Sequence, residues 1–350
     1  FEGWEDVPTK TAVAANVGSG PDLIIGFSDN PHLYKDKLVD LTDITTYLGE
    51  KYGGWWPLAE RYGTDPDTGA WIAMPVGASG GRVVYRKSML DAVGYDGVPA
   101  ETDGFLEMAK ALQAGGTPMG LALGNAAGDG NAWCNWLLWA FGGRMVDDEG
   151  NLAIDSPETV AALTYGKELY ETFIPGTLSW LDSNNNKAFL SGEISLTQNG
   201  ISIYYAAKTS EDPAIKALAD DIYHARMPIG PAGMPTERSL VFNSMVFKHS
   251  PYPNAAKAYL TFMMESDQYG EWLQKGIGYF NHPLQAYDAS PVWTEDPKHE
   301  AYKHVMKDAL WDGYSGPLGP ASAAVLADFI IVQMVASVCS GQATPEEAAA

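Results

Sequence analysis

Cysteine is nearly absent: Cys134 and Cys339 are the two cysteines in 350 residues. That excludes a disulfide-dense scaffold and every multi-cysteine zinc pattern. Positive charge is scarce as well. Lys and Arg total 22 against 44 Asp and Glu, a formal charge of −22. A surplus of that sign repels phosphate backbones and anionic lipid, so neither nucleic acid nor an anionic membrane surface is an expected partner. No Walker A loop and no complete G-x-G-x-x-G occurs, so nucleotide chemistry has no support. The histidines, His32, His224, His249, His282, His299 and His304, show no H-E-x-x-H or similar spacing, and no metal or cofactor is expected. The opening FEGWEDVPTK has no basic stretch followed by an apolar one, so no signal peptide is read within it. Long apolar runs are lacking apart from Ala321 to Cys339, which carries Asp328 and Gln333 near its middle. A bare charge at a bilayer centre is expensive, so this run is read as one buried helix.

What is present is material for cores. Apolar residues make up 46% of the chain, and at roughly 150 residues per domain the length suggests about two domains. Helical patterns at Thr9–Val17, Thr102–Leu112, Trp133–Phe141, Asn254–Glu265 and His299–Leu310 alternate with short apolar runs. Those runs are Leu23–Ile25, Trp71–Val76, Arg82–Tyr85, Met119–Leu123, Ile194–Thr197 and Leu240–Phe247. Ser156-Pro157-Glu158 carries an N-cap followed by proline at the first helical position, so a helix starts there. Strands interleaved with helices predict an α/β protein with mostly parallel sheets.

Several local patterns have an ordinary reading beside the functional one. Gly77-Ala78-Ser79-Gly80-Gly81 matches G-x-S-x-G, but a strand follows it where a nucleophile elbow needs a helix. Asp65-Pro66-Asp67-Thr68-Gly69 and Asp147-Asp148-Glu149-Gly150-Asn151 lack the full spacing of a calcium loop and read as turns. His299 and His304 read as surface residues on a lysine-bearing helix. His282 lies on a loop between Asn281 and Pro283, where a functional role is open.

The aromatics are abundant, with 11 Trp and 18 Tyr. Trp133, Trp136 and Trp139 are three residues apart and share one helical face. Trp136 and Trp139 are assigned to the core. Trp133 follows the loop Gly128-Asp129-Gly130-Asn131, and a ring at such an edge suits stacking on a ligand. Rings beside Asn, Ser and Asp offer a platform for C–H groups with hydrogen bonds for hydroxyls. Sugar binding and core packing both stay open on composition alone.

Six segments, in order, resemble the carbohydrate-type extracellular solute-binding proteins of ABC importers, family 1, the maltose-binding-protein-like group. They are Gly20-Pro21-Asp22-Leu23-Ile24, Leu38-Val39-Asp40-Leu41-Thr42 and Trp71–Pro75 through Val84–Lys87. Phe189–Ile194 with Asn199-Gly200, Met227–Pro231 and Asn254–Ala258 complete the set. Each is weak alone; six in register over nearly the whole chain are specific. The resemblance implies a two-lobed periplasmic-binding-protein fold (type II), a hinge of three crossovers and a ligand cleft between the lobes. The crossovers would fall near Gly77–Gly81, Phe242–Met245 and Trp311–Pro317. One lobe would be 1–78 with 243–312, the other 79–242 with 313–350. The chain would start inside the family's first strand–helix unit, and its last helix would end early at Ala350.

By the same resemblance, Asp29 and Asn30 after the first strand bind sugar hydroxyls. Ser79 replaces a hinge-side carboxylate. Trp133 stacks on the ligand, and Asn131, Asn199 and Asn243 bond hydroxyls. Ser202 holds a position that is aromatic in the family, with Tyr204 and Tyr205 the nearest rings. His282 and Trp311 complete the candidate ligand set, with Arg82 the cation to inspect for an anionic ligand. A late stacking position falls at Ala324 and Val325, which favours a small sugar, sugar alcohol or glycoside over a long maltodextrin. The expected protein is a non-enzymatic monomer, periplasmic or tethered outside the membrane, whose partners are that carbohydrate and the permease subunits. The alternatives are the same fold taking a glycerol phosphodiester or a polyamine, and a carbohydrate-active hydrolase with two facing carboxyls.

Overall fold

A computed structural model describes residues 6–350; residues 1–5, which begin the opening segment discussed above, lie outside the described residues. Among the described residues the strands are β1 (Leu23–Phe27), β2 (Met74–Gly80), β3 (Arg82–Arg86), β4 (Leu196–Asn199), β5 (Ile222–Ala225) and β6 (Ser239–Val246). They build two three-stranded sheets, β1-β6-β2 and β4-β3-β5. The chain divides into two compact units. Unit 1 runs up to Ser79 and resumes at Ser239–Asp312 and Pro317–Ala327; unit 2 is Gly80–Arg238, Gly313–Gly316 and Asp328–Ala350.

The sheets correct one expectation. The β1/β6, β3/β4 and β3/β5 ladders are all antiparallel. Alternation of strand and helix along the chain suggested parallel pairing, but the paired strands are not sequence neighbours linked by one crossover helix. β6 reaches β1 only after the whole 80–238 excursion through unit 2. Parallel pairing occurs at isolated bridges such as Met119↔Phe173 and Glu101↔Ile229. Met119–Leu123 is therefore no strand. It is an extended segment whose Gly120 N–H donates to Leu196 O at 3.0 Å and Leu123 N–H to Thr177 O at 2.9 Å.

The expected lobe boundaries also differ from the units. The second crossing falls at Arg238/Ser239, ahead of 242/243, because β6 already starts in unit 1 at Ser239: Val241 O accepts from Ser28 N–H, and the β1 ladder follows with Phe27↔Phe242 and Gly26↔Asn243 in register. After Gly313–Gly316 the chain returns to unit 1, where the helix Pro320–Ala327 packs on the short helix Asn30–Leu33. The apolar run from Ala321 to Cys339 is long and apolar enough by composition to cross a bilayer, yet it is not one buried helix. Phe329 adopts a left-handed φ of 56° and breaks it into Pro320–Ala327 and Ile330–Cys339, with 28% of the most apolar window buried.

Unit 1 is centred on the buried cluster Ala15, Leu38, Ile72, Ala73, Met245 and Phe247. Unit 2 is built around the helix Asp129–Ala140, in which every residue is buried. A helix buried on every side is a core helix, and its Trp136 lies edge-on to Phe105 with Nε1–H donating to Pro228 O at 2.9 Å. The helix Pro157–Tyr170 starts where its signals put it, with Ser156 Oγ accepting from Thr159 N–H at 3.1 Å. Cys134 and Cys339 are both buried free thiols in unit 2. Burial pushes the Cys339 thiol up to about 12 and that of Cys134 well above its ordinary range.

Two local readings change. His299–Leu310 is a 3-10 segment, Pro297–Tyr302, and a short helix, Val305–Asp308. The buried Asn281 amide causes the interruption: Nδ2 donates to Tyr302 O at 2.9 Å and Lys303 O at 2.6 Å, and Oδ1 accepts from Met306 N–H at 3.0 Å. His299 is accordingly buried, its Nδ1 2.8 Å from Val292 O, whereas His304 keeps a side-chain exposure of 43%. The two Asp-rich loops are turns, Asp147 Oδ1 accepting from Glu149 and Asn151 N–H, and Asp65 Oδ1 from Asp67 N–H.

The G-x-S-x-G segment lies in β2 and leads directly into β3, so no elbow forms. Gly77 is required for close approach: a Cβ there would sit 2.6 Å from Phe280 Cβ and 3.2 Å from Asn281 O. Gly77→Ala should therefore destabilise the fold by about 1–3 kcal/mol through overpacking. Urea unfolding measures this, and an unchanged midpoint would show that the 280–281 segment yields freely.

Candidate functional site

In unit 1 the polar residues gather at the C-terminal end of β1. Ser28 holds a left-handed φ of 44°, a conformation uncommon for serine, and its N–H donates to Val241 O at 2.7 Å. Strain of this kind persists where surrounding structure over-determines it and often marks functional positions. Asp29 follows, fully buried, then Asn30, whose Oδ1 accepts from Phe27 N–H at 3.1 Å. The register of β6 sets Asn243 opposite Gly26, and its Nδ2 donates to Ser28 O. The Asn243 Oδ1 atom is buried with no hydrogen-bond partner. Asp29, Asn30 and Asn243 thus meet in one place, as a donor-and-acceptor set around Ser28. Ser79, half-buried in β2, ends this unit's first segment.

A second group in unit 1 joins the helix Pro57–Gly63 to Trp311 and Asp312. The Arg61 guanidinium lies 3.7 Å from the centroid of the Trp311 indole. Beside it, Tyr62 Oη donates to Asp312 Oδ2 at 2.8 Å while accepting from Asp312 N–H at 2.8 Å. Trp311 itself is half-buried. Arg61, Tyr62 and Asp312 were not singled out by sequence reasoning. No local motif marks them, because the pairing joins segments 250 residues apart.

His282 is fully buried in unit 1, between Trp56 and Trp293, with Nε2 3.6 Å from Asp288 Oδ1. Burial lowers its pKa to about 4.

In unit 2 the candidate residues separate into two kinds. Asn199 and Ser202 belong to a small amide–hydroxyl network: Asn199 Nδ2 donates to Asn186 Oδ1, and Ser202 Oγ donates to Asn199 Oδ1 at 3.2 Å. Asn131 is buried at the start of the central helix, with Nδ2 3.3 Å from Ala127 O. Next to it stands Asp129, which the sequence reading passed over as part of a loop. Burial, and then the neighbouring Asp182 carboxylate, push the Asp129 carboxyl well above the usual range, while Asn185 Nδ2 donates to its Oδ2 at 2.7 Å. Asp182 accepts from Gly128 N–H at 3.1 Å and Asp129 N–H at 2.7 Å, a favourable place for a carboxylate at a helix N-terminus.

Three expected ligand contacts are corrected. Trp133 does not offer its ring at a helix edge: it is fully buried, donates Nε1–H to Ala122 O at 2.6 Å and meets Phe173 edge-on. The central helix begins at Asp129, four residues before Trp133, so the ring sits one turn inside the core. Tyr204 is 4% exposed and packs edge-on against His224 under Lys208. Arg82 is no free anion anchor, because its guanidinium lies 3.0 Å from Glu237, both groups almost wholly buried. Glu237 also accepts from Arg226 Nε at 3.0 Å and Met227 N–H at 3.0 Å. The remaining candidate residues are therefore amides and hydroxyls, and Arg82 is tied into an ion-pair cluster in which Glu237 is shared with Arg226.

Trp133→Ala should cost about 3–5 kcal/mol of stability, the range for a buried Trp, read by denaturant unfolding; a change under about 1 kcal/mol would contradict the core assignment. His282 gives a pH dependence with a definite sign. Its folded value, about 4, lies below the ordinary 6.5. Unfolded chains then bind the proton more readily, so its contribution is intact above about 6.5 and is lost as pH falls towards about 4. His282→Gln should flatten the thermal midpoint across that window, and an unaltered profile would count against the burial argument.

The sequence profile described as "Bacterial extracellular solute-binding protein" matches residues 1–301. YcjN of Escherichia coli (strain K12), by name an ABC transporter periplasmic-binding protein, is 24% identical over 302 residues, spanning 82% of this chain and 66% of its own length. A Deinococcus radiodurans relative, by name an ABC transporter-binding protein, is 26% identical over 48% of this chain and 41% of its own. The chain thus spans less than two thirds of these relatives. Among solved structures, maltose-bound T. maritima MalE3 superposes with a TM-score of 0.84 at 25% identity, covering 99% of this chain and 87% of that one. A sugar transporter protein from Arthrobacter chlorophenolicus A6 with bound laminaribiose gives 0.84 at 19% identity over the same shares, a likeness of fold. With two α/β units of interrupted sequence and a match through residues 1–301, the chain belongs to the bacterial extracellular solute-binding proteins.

Proposed function

We propose that this protein is the substrate-binding component of an ABC importer, capturing a neutral carbohydrate outside the cytoplasmic membrane and delivering it to permease subunits. The observation that carries the reading is the chemistry of the candidate set. Asp29, Asn30 and Asn243 in unit 1 and Asn131, Asn199 and Ser202 in unit 2 are hydroxyl-bonding groups. The nearby cation, Arg82, is held by Glu237. That pairing argues against a glycerol phosphodiester, which needs an available Arg or Lys. Solved neighbours carry maltose, laminaribiose, tagatose and ribitol, all neutral. With Trp133 and Tyr204 in the core, Trp311 becomes the ring for ligand stacking. Ser79 contributes a neutral contact. The protein performs no reaction, works as a monomer and is either free in the periplasm or tethered to the membrane.

Calorimetric titration with maltose, laminaribiose, D-tagatose and ribitol tests this. At least one should bind with a Kd of about 1 μM or tighter, roughly −8 kcal/mol. Glycerophosphodiesters and spermidine should give no heat. Silence from all four neutral ligands with binding of either charged one would overturn the reading. Asn199→Ala should weaken the bound ligand by about 1–2 kcal/mol, the range for one lost hydrogen bond.

A further inference from the structure

A cavity of about 260 Å³ opens in unit 2 against the helix Asn184–Ser191, lined by Trp180, Asn184, Lys187, Ala188, Ser191 and Glu193. Asn184, Lys187, Ala188 and Ser191 recur at i, i+3, i+4 and i+7, so they share one helical face. Asn186, which bonds Asn199 and Ser202, lies on the opposite side of the same helix. The cavity is therefore separate from the amide–hydroxyl network. Trp180 supplies its apolar wall. The Trp180 N–H donates to Thr177 O at 3.1 Å, and its O accepts from Gly124 N–H at 3.1 Å. The ring packs so closely on Gly120 that a Cβ there would stand 2.8 Å from it.

The polar lining divides along the helix. In the first turn Asn184 Oδ1 accepts from Leu181 N–H at 2.8 Å, which leaves Nδ2 to donate, and Lys187 adds an ammonium. At the far end Ser191 Oγ donates its proton to Ala188 O at 3.0 Å, which leaves the oxygen to accept, and Glu193 adds a carboxylate. Lys187 and Glu193 are both exposed, and among the described residues neither forms an ion pair. In the same chain Lys51 holds Glu265 at 2.6 Å and Lys257 holds Asp43 at 2.8 Å. A donor end and an acceptor end thus face one cavity without neutralising each other.

We propose that this cavity is a second ligand site, independent of the sugar reading, that takes a small zwitterion carrying one ammonium and one carboxylate. The carboxylate is met by Asn184 and Lys187, where the helix N-terminus also favours negative charge. The ammonium is met by Ser191 and Glu193, and the methylenes between the charges rest on Trp180. Positions 187 and 191 are about 6 Å apart along the helix axis, a span suited to an ω-amino acid.

The test is saturation-transfer NMR of the whole chain with γ-aminobutyrate, butyrate and propylamine. γ-Aminobutyrate should bind with a Kd of about 5 mM or tighter, and each single-charge analogue about 3-fold or more weaker. Lys187→Met and Glu193→Gln should each weaken γ-aminobutyrate by about 3- to 5-fold, the range for an exposed ion pair. The thermal midpoint should hold in both, since the side chains are exposed. Maltose, laminaribiose, D-tagatose and ribitol should not displace γ-aminobutyrate. Butyrate or propylamine binding as tightly as γ-aminobutyrate would overturn the zwitterion assignment. Silence from γ-aminobutyrate, its displacement by a sugar, or wild-type affinity in both variants would overturn the site itself. Should Lys187→Met fail to fold, Glu193→Gln decides alone, with wild-type affinity overturning the proposal.

Discussion

A single buried carboxylate, Glu237, organises unit 2. It holds Arg82 at 3.0 Å and also bonds Arg226 and the Met227 N–H. Arg82 stands two residues after the chain enters unit 2 at Gly80, and Glu237 one residue before the segment ends at Arg238. Gly81 N–H adds a 3.4 Å bond to Arg238 O. The ion pair thus ties the first residues of a 159-residue excursion to its last. A buried pair of this kind adds little net stability over an apolar substitute, but removing one partner strands a charge at a cost of about 3–5 kcal/mol. Its value lies in specifying where the excursion closes. Closing it there delivers Ser239 to the start of β6.

From that point the β6 register does the rest for unit 1. Antiparallel pairing with β1 places Asn243 opposite Gly26 and brings its amide to Ser28 O. A slip of one residue would turn every β6 side chain to the other face of the sheet. Asn243 would leave the polar set, and Met245 would leave the core. The polar site and the hydrophobic core of unit 1 are therefore fixed by one ladder and cannot be varied independently.

Much of the fold was legible in the residues. The cap at Ser156 and the apolar runs at β1, β3 and β6 mark elements where they occur. The polar candidates Asp29, Asn30, Asn199 and Ser202 came from a resemblance over ordered segments. What failed were inferences about environment. Trp133 carries the same residue type whether it faces a ligand or a core, and only the start of the helix at Asp129 decides between them. Arg82 looked like an available cation because Glu237 lies 155 positions away. The sheets looked parallel because local alternation does not record which strands meet. Trp311 was a candidate from the sequence but its contact with Arg61 was not, since a cation over a ring leaves no trace in spacing.

The two cysteines have a consequence for the life of the protein outside the cytoplasm. A thiol reacts as its thiolate, and burial holds both Cys134 and Cys339 in the protonated form at neutral pH. In an oxidising compartment the folded chain therefore offers no nucleophile to small disulfides and depends on no disulfide for its architecture. Its thiols become chemically visible only when unit 2 opens. Thiol reactivity therefore follows the opening of unit 2, where both cysteines are buried.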